Sequence, residues 1–309
     1  MYTVKEHYTE NGTPYVHAEN IPRLNIFKTF DCGQCFRFEP VSLFGNRYEF
    51  GGVAYGKYVV FAQNSDTEIL VYGSTKEEFL SLWAKYLALD VDYEEIDKTI
   101  SSALKSEHMD KCIEYSRGIR ILRQDRWEAL CSFIISQNNN IPRIKKIISA
   151  MSKKYGEVSR FGDVEYYSFP TEKSLIGAGI DGLFDLKTGF RAKYIFDAAS
   201  KVADGEIDLG KIYEMDFTQA VESLCKIKGV GLKVASCALL FGFEKTEAFP
   251  IDVWMKRALE NHFGGNIDLD TLGKTAGIAQ QYLFYYEKYN QCLPLEGKGD
   301  HPVVDEVGQ

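Results

Sequence analysis

The sequence predicts an α+β protein, with an N-terminal antiparallel β-sheet domain followed by an all-helical domain. Three observations carry this: strand-like runs up to about Ser74, helical spacing from Glu77 onward, and polar or glycine-containing turns between the segments. A chain of 309 residues exceeds the usual single-domain size, so more than one subdomain is expected.

In the first region, Tyr58-Val59-Val60-Phe61 and Ile69-Leu70-Val71-Tyr72 are β-rich runs separated by the turn formers Gln63-Asn64-Ser65-Asp66. Further on, Trp127, Leu130, Cys131, Ile134 and Ile135 follow the stripe of an amphipathic helix. Gln137-Asn138-Asn139-Asn140 breaks it. Pro142 then opens another helix, with Ile144, Ile147, Ile148 and Met151 on one face. Helices joined by short polar turns are expected to about Asn290, and residues 293–309, without periodicity, read as a mobile tail. The expected division is a sheet domain with flanking helices over 1–112 and a helical domain over 113–292.

Apolar residues make up 45% and aromatics 14%, ample for a buried core. No secretory h-region opens the chain, and no apolar run nears the roughly 18 residues of a membrane span. A monomer in the cytoplasm, nucleoid-associated if the host is bacterial, is the expectation. Seven scattered cysteines, an odd number, fit reduced thiols. The net charge of -8 argues against nucleic acid, but residues 117–160 hold ten basic side chains against three acidic ones. That stretch is compatible with a DNA-binding face, although charge alone favours solvated helix surfaces.

The most informative segment is Leu224-Cys225-Lys226-Ile227-Lys228-Gly229-Val230-Gly231-Leu232-Lys233-Val234-Ala235. A helix with Val221, Leu224 and Cys225 inward is expected to end at Gly229, and a second starts at once, a hairpin over about 218–242. Gly229 and Gly231 let the backbone approach a ligand closely, and amides at the new helix N-terminus can hold a phosphate. From Leu232 to Phe243 only Lys233 and Ser236 are polar. A lone lysine in such a first turn can serve as an amine nucleophile and form a Schiff base, or simply reach out to solvent. In Phe249-Pro250-Ile251-Asp252-Val253-Trp254, Asp252 is placed to cap the next helix. A carboxylate near a sugar would also stabilise a developing oxocarbenium ion.

Taken together, Gly33-Gln34-Cys35-Phe36-Arg37, Arg123-Gln124-Asp125, Ser136-Gln137-Asn138-Asn139-Asn140-Ile141-Pro142-Arg143-Ile144 and the block from Gly229 to Asp252 resemble the 8-oxoguanine DNA glycosylase/AP lyases of the helix-hairpin-helix superfamily. The resemblance runs from about Phe30 to Phe284. It implies a TATA-binding-protein-like sheet domain and bifunctional excision of 8-oxoguanine from duplex DNA, preferentially opposite cytosine, with base flipping and β-elimination. By the same resemblance Lys233 is the Schiff-base lysine and Asp252 the catalytic carboxylate. Gly33 accepts the N7 hydrogen of the lesion, Phe284 and Cys237 sandwich the base, Gln280 bonds its Watson–Crick edge, and Phe241 stands beside the pocket where the family has a methionine. Asn138, Arg143 and Arg191 read the opposite cytosine, and Phe190 replaces a wedge tyrosine. The carbonyls of Cys225, Ile227 and Val230 would hold a structural cation, and no cofactor is required for catalysis. Trp254 stands where the family often has a histidine. Gln280 also stands out on its own, being polar on the stripe of Ala276, Ala279, Leu283 and Phe284.

Three other readings stay open. A monofunctional alkylated-purine glycosylase would share the hairpin and Asp252 but has no need of Lys233. A non-catalytic DNA-binding module would leave Asp252 and Gln280 unexplained. A redox role for Cys32-Gly33-Gln34-Cys35 lacks the surrounding βαβ pattern. Only Cys292 follows Asp252, so no iron–sulfur cluster is expected.

Overall fold

Alternating apolar runs between turn residues produce six antiparallel strands, β1 (Thr3–Tyr8), β2 (Pro14–Glu19), β3 (Phe38–Pro40), β4 (Tyr48–Ala54), β5 (Lys57–Gln63) and β6 (Glu68–Tyr72). They form one sheet in the order β1-β2-β6-β5-β4-β3. The tightest connection is Tyr55-Gly56, both at positive φ, which closes the β4–β5 hairpin with Ala54 opposite Lys57. Paired positive φ values match the right-handed twist of the two strands. The computed structural model describes residues 2–290; the tail expected over 293–309 lies outside them.

A short helix, α1 (Ile26–Asp31), precedes β3. After the sheet come α2 (Lys76–Glu78), a π-helical turn over Phe79–Trp83, α3 (Ala84–Tyr86), α4 (Tyr93–Leu104), α5 (Glu107–Ser116), α6 (Arg126–Ser136) and α7 (Ile141–Tyr155). Next is a hairpin of β7 (Val158–Phe161) and β8 (Val164–Tyr167). Then follow α8 (Glu172–Leu183), α9 (Ala192–Ala203), α10 (Leu209–Glu214), α11 (Phe217–Leu224), α12 (Leu232–Gly242), α13 (Val253–His262), α14 (Leu269–Leu272) and α15 (Ala276–Asn290). None of the described helices is long and apolar enough to cross a membrane.

The β7–β8 hairpin interrupts the uninterrupted helical run expected from sequence. Its strands are four residues each and largely exposed, so no apolar alternation announces them. The first helix of the 217–242 hairpin also ends at Leu224, five residues before Gly229, and Cys225 is exposed rather than inward. Residues 225–231 instead form tight turns, in which Ile227 N–H donates to Leu224 O and Val230 N–H to Ile227 O.

Two cores meet at the segment that matters for function. The sheet core includes Phe30, Cys35, Phe38 and Phe61, whereas Cys32 and Phe36 belong to the helical core. α4 and α5 pack into the helical core too, and the expected division at 112 falls within α5. Residues 32–36 therefore thread between the cores, and Gln34 pins them there. Its fully buried amide donates to Thr29 O and Arg120 O and accepts from Leu122 N–H at 2.8 Å. Buried amides so satisfied fix a loop's position.

Candidate active site

Where α12, α13, α15 and the 32–36 segment converge, a cavity of about 70 Å³ is lined by Gly33, Lys233, Cys237, Phe241, Asp252, Gln280 and Phe284, among others. The elements place these residues for local reasons. α12 is buried from Val234 to Gly242, so Lys233 in its first turn sits at the edge of the core, half-buried, on the cavity wall. Asp252 caps α13 as expected, accepting from Met255 N–H at 2.8 Å. Gly33 adopts φ +80°, and a Cβ there would lie 3.6 Å from the Phe284 ring.

The electrostatics follow from burial. Burial pushes the pKa of the Cys237 thiol up to about 11, with the nearby Lys233 pulling it down and Asp252 pushing it up. Cys237 is thus a neutral, apolar wall at physiological pH. Gln280 is 6% exposed, and its side-chain amide makes no hydrogen bond to any described residue. That amide faces the cavity, where it is open to a hydrogen-bonding partner.

The cavity adds residues the sequence reading did not select, namely Cys32, Phe133, Pro250 and Gln281. Phe133 stacks on Phe241, ring centroids 5.2 Å apart. Gln281 donates to Cys32 O at 2.9 Å, tying α15 to the 32–36 segment. Its neighbour Gln280 was the only hint. A larger surface groove of about 630 Å³ elsewhere, near Arg23 and Asp92, contains none of the selected residues. Burial also removes the redox reading: it pushes the Cys32 thiol up to about 12 and Cys35 well above the usual thiol range.

A second group gathers on the surface. Asn138 is exposed with φ +47°, Arg143 is exposed, and Phe190 is 49% exposed with the Arg191 guanidinium 4.4 Å from its ring centre. Arg143 donates to Lys187 O at 3.2 Å. Arg191 is different, only 3% exposed, and donates to the carbonyls of Gln137, Asn138 and Thr188. In the DNA-free chain it holds the Asn138 loop in shape. Burial lowers its pKa, and the Arg143 charge lowers it further.

The basic stretch over 117–160 does not form one face. Arg120 is buried, Arg123 pairs with Asp90 and Glu244, and Lys145 pairs with Glu39. Only part of the stretch, including Arg143 and the exposed lysines of α7, remains for phosphates.

Gly229 has φ +76°, and a Cβ there would fall 2.3 Å from the Tyr194 ring, whose edge also meets Phe190. Gly229→Ala is therefore expected to cost about 1–3 kcal/mol, read as a lower urea midpoint. An unchanged midpoint would mean that Tyr194 yields freely.

A model of the 8-oxoguanine DNA glycosylase N-terminal domain matches residues 17–130, and one of HhH-GPD superfamily base excision DNA repair proteins matches residues 131–277. A probable N-glycosylase/DNA lyase of Methanothermobacter thermautotrophicus is 31% identical over 219 residues, covering 62% of this chain and 70% of its own. The chain belongs to the 8-oxoguanine DNA glycosylase family. It is thus a base-excision DNA repair enzyme, an N-glycosylase with lyase activity. The structure of MBOgg1 with a low-affinity DNA ligand superimposes with a TM-score of 0.86 at 36% identity, covering 94% of this chain and 99% of that one. The Clostridium acetobutylicum 8-oxoguanine glycosylase/lyase, bound to duplex DNA with cytosine opposite 8-oxoguanine, gives 0.83 at 35% identity over 94% and 98%.

In this glycosylase-family chain the hairpin turn offers the Cys225, Ile227 and Val230 carbonyls, hard oxygen donors that suit a hard cation. The Ile227 carbonyl already accepts from Val230 N–H at 3.0 Å and keeps a second lone pair. The donor set fits such an ion. Trp254, at the departure noted from sequence, is half-buried with the Arg257 guanidinium 5.8 Å from its ring centre.

Proposed function

We propose that this enzyme excises 8-oxoguanine from duplex DNA, preferentially opposite cytosine, with Lys233 as nucleophile and Asp252 as the stabilising carboxylate. The observation that carries the reading is a cavity that brings Gln280, with its amide open to a partner, together with Gly33, Cys237, Phe284, Lys233 and Asp252. A purine edge would satisfy that amide, and the Phe284 ring and Cys237 would flank the base. The Gly33 carbonyl would accept the N7 hydrogen that 8-oxoguanine carries and guanine lacks.

The chemistry follows from the residues. The Lys233 amine bonds to C1′ as the bond from C1′ to the base breaks, and the Asp252 carboxylate stabilises the positive charge that builds on the sugar. Ring opening gives a protonated imine. Loss of a C2′ proton then expels the 3′ phosphate by β-elimination. A cation held by Cys225, Ile227 and Val230 would add positive charge beside a DNA phosphate, and excision itself requires no cofactor. Asn138, Arg143 and Arg191 recognise the opposite cytosine, Phe190 fills the vacated stack, and Gly229 and Gly231 bring backbone amides to the phosphates. The enzyme acts on DNA as a monomer.

Incubating the enzyme with a duplex carrying 8-oxoguanine opposite cytosine, in the presence of borohydride, tests this reading. A covalent enzyme–DNA adduct is expected. Release of 3-methyladenine, with 8-oxoguanine untouched, would overturn it.

Asp252→Asn is expected to slow excision at least about tenfold, a loss of roughly 1.4 kcal/mol of transition-state stabilisation. Asparagine also caps helices well, so the folded variant isolates the charge. Single-turnover excision at the wild-type rate would leave Asp252 a cap alone.

A further inference from the structure

At the end of α13 away from the cavity, and one turn beyond Phe284 on α15, His108, His262 and Glu287 converge, with one ligand atom from each within 4.8 Å of the others. They come from three helices, α5, α13 and α15. Among the described residues this is the one group of three or more histidine, cysteine or acidic side chains spaced to hold a metal.

We propose that His108 Nε2, His262 Nε2 and a Glu287 carboxylate oxygen form a binding site for a divalent transition-metal ion of the zinc class. Two imidazoles and one carboxylate are a donor set that Zn²⁺ favours. Tetrahedral zinc holds such ligand atoms roughly 3.4 Å apart, given bond lengths of about 2.0–2.2 Å. His108 Nε2 lies 3.0 Å and His262 Nε2 3.6 Å from Glu287 Oε1, on either side of that separation. The two imidazoles are stacked, 3.5 Å apart and 8° from parallel. Both nitrogens address one oxygen, so a modest splay of the rings aims both lone pairs at a common point. The ion would enter from solvent: the Glu287 side chain is 3% exposed, that of His108 17% and that of His262 34%. Glu287 therefore forms the floor and His262 the mouth, leaving a fourth position for water. Tyr286 and Phe263 set their ring edges or faces against His108 and close the flank.

The site has a consequence for the enzyme. α13 is capped by Asp252 and ends at His262, and α15 carries Gln280 about two turns and Phe284 about one turn before Glu287. A bound ion would staple together two helices that both help to form the cavity, α13 through its Asp252 cap and α15 through Gln280 and Phe284, and fix both to α5. Nothing in the spacing of the three residues along the chain announces this, since His108 lies more than a hundred residues from both others and all three stand on separate elements.

The test is Zn²⁺ titration of the full chain after chelator treatment, by competition with a chromophoric chelator. One equivalent is expected to bind at micromolar concentration or tighter and to raise the melting temperature. Glu287→Gln and His262→Gln should each weaken binding at least tenfold and remove the thermal shift. His262 is the more exposed ligand, so its variant keeps the test valid if the buried Glu287→Gln chain misfolds. Co²⁺ should give visible bands of a nitrogen and oxygen site, absent in His262→Gln. Wild-type protein that binds no Zn²⁺ at 100-fold higher concentration would overturn the proposal. So would His262→Gln protein that binds like wild type, or Co²⁺ spectra dominated by thiolate charge transfer.

Discussion

Lys233→Gln is expected to abolish base excision and borohydride trapping together, a loss of at least about a thousandfold or roughly 4 kcal/mol, while DNA binding survives. Glutamine has no amine to attack C1′ or to form an imine. Binding depends on the hairpin backbone and surface cations, which the substitution leaves alone. Gel shift and single-turnover assays on one preparation separate the two effects. A trapped adduct at the wild-type level in this variant would place the nucleophile elsewhere.

Opposite-base discrimination is the second large effect. Excision opposite cytosine is expected to run roughly 10- to 100-fold faster than opposite adenine. Adenine presents a donor where an arginine needs an acceptor, leaving a buried donor unpaired at about 1–3 kcal/mol. Arg143 is exposed and makes a single long bond to Lys187 O, so it is free to turn toward a base. Arg191 is committed to three carbonyls and must leave some of them to read one. Arg143→Ala is therefore the informative variant, and it should narrow the cytosine-to-adenine ratio more than it slows excision opposite cytosine. Equal wild-type rates opposite all four bases would remove the reading role from both arginines.

Features governed by neighbours in the chain were legible in the sequence. The β5 and β6 strands, the α6 stripe, the proline-started α7 and the Asp252 cap all depend on contacts a few residues apart. So was Gln280, because a polar side chain on an apolar stripe needs a reason. Features set by distant contacts were not. Gln34 is anchored by Leu122, 88 residues away, and α11 stops at Leu224 because the turn bonds of residues 225–230 satisfy its last carbonyls. The charge of residues 117–160 looked like one surface only because the partners Asp90, Glu244 and Glu39 lie outside the stretch. The family resemblance named residues correctly as neighbours, since Gly33, Lys233, Asp252, Gln280 and Phe284 do line one cavity.

The cavity is about 70 Å³, far below the roughly 300 Å³ at which ordinary ligand pockets begin. Phe284, half-buried, packs over Gly33 where a base would have to slide in. On the proposed reading, a base can enter only if Phe284 swings away from Gly33, so the site must open before it can hold one. Every extruded base, intact or oxidised, meets the same handicap, because apparent affinity falls by the fraction of chains that stand open. If Gly33 and Gln280 bond the lesion as proposed, only a base that meets both would hold the site open long enough for Lys233 to act. An intact guanine would be returned to the helix by the reclosing of Phe284, so the lifetime of the open state, as much as the strength of any contact, would set which bases are cut.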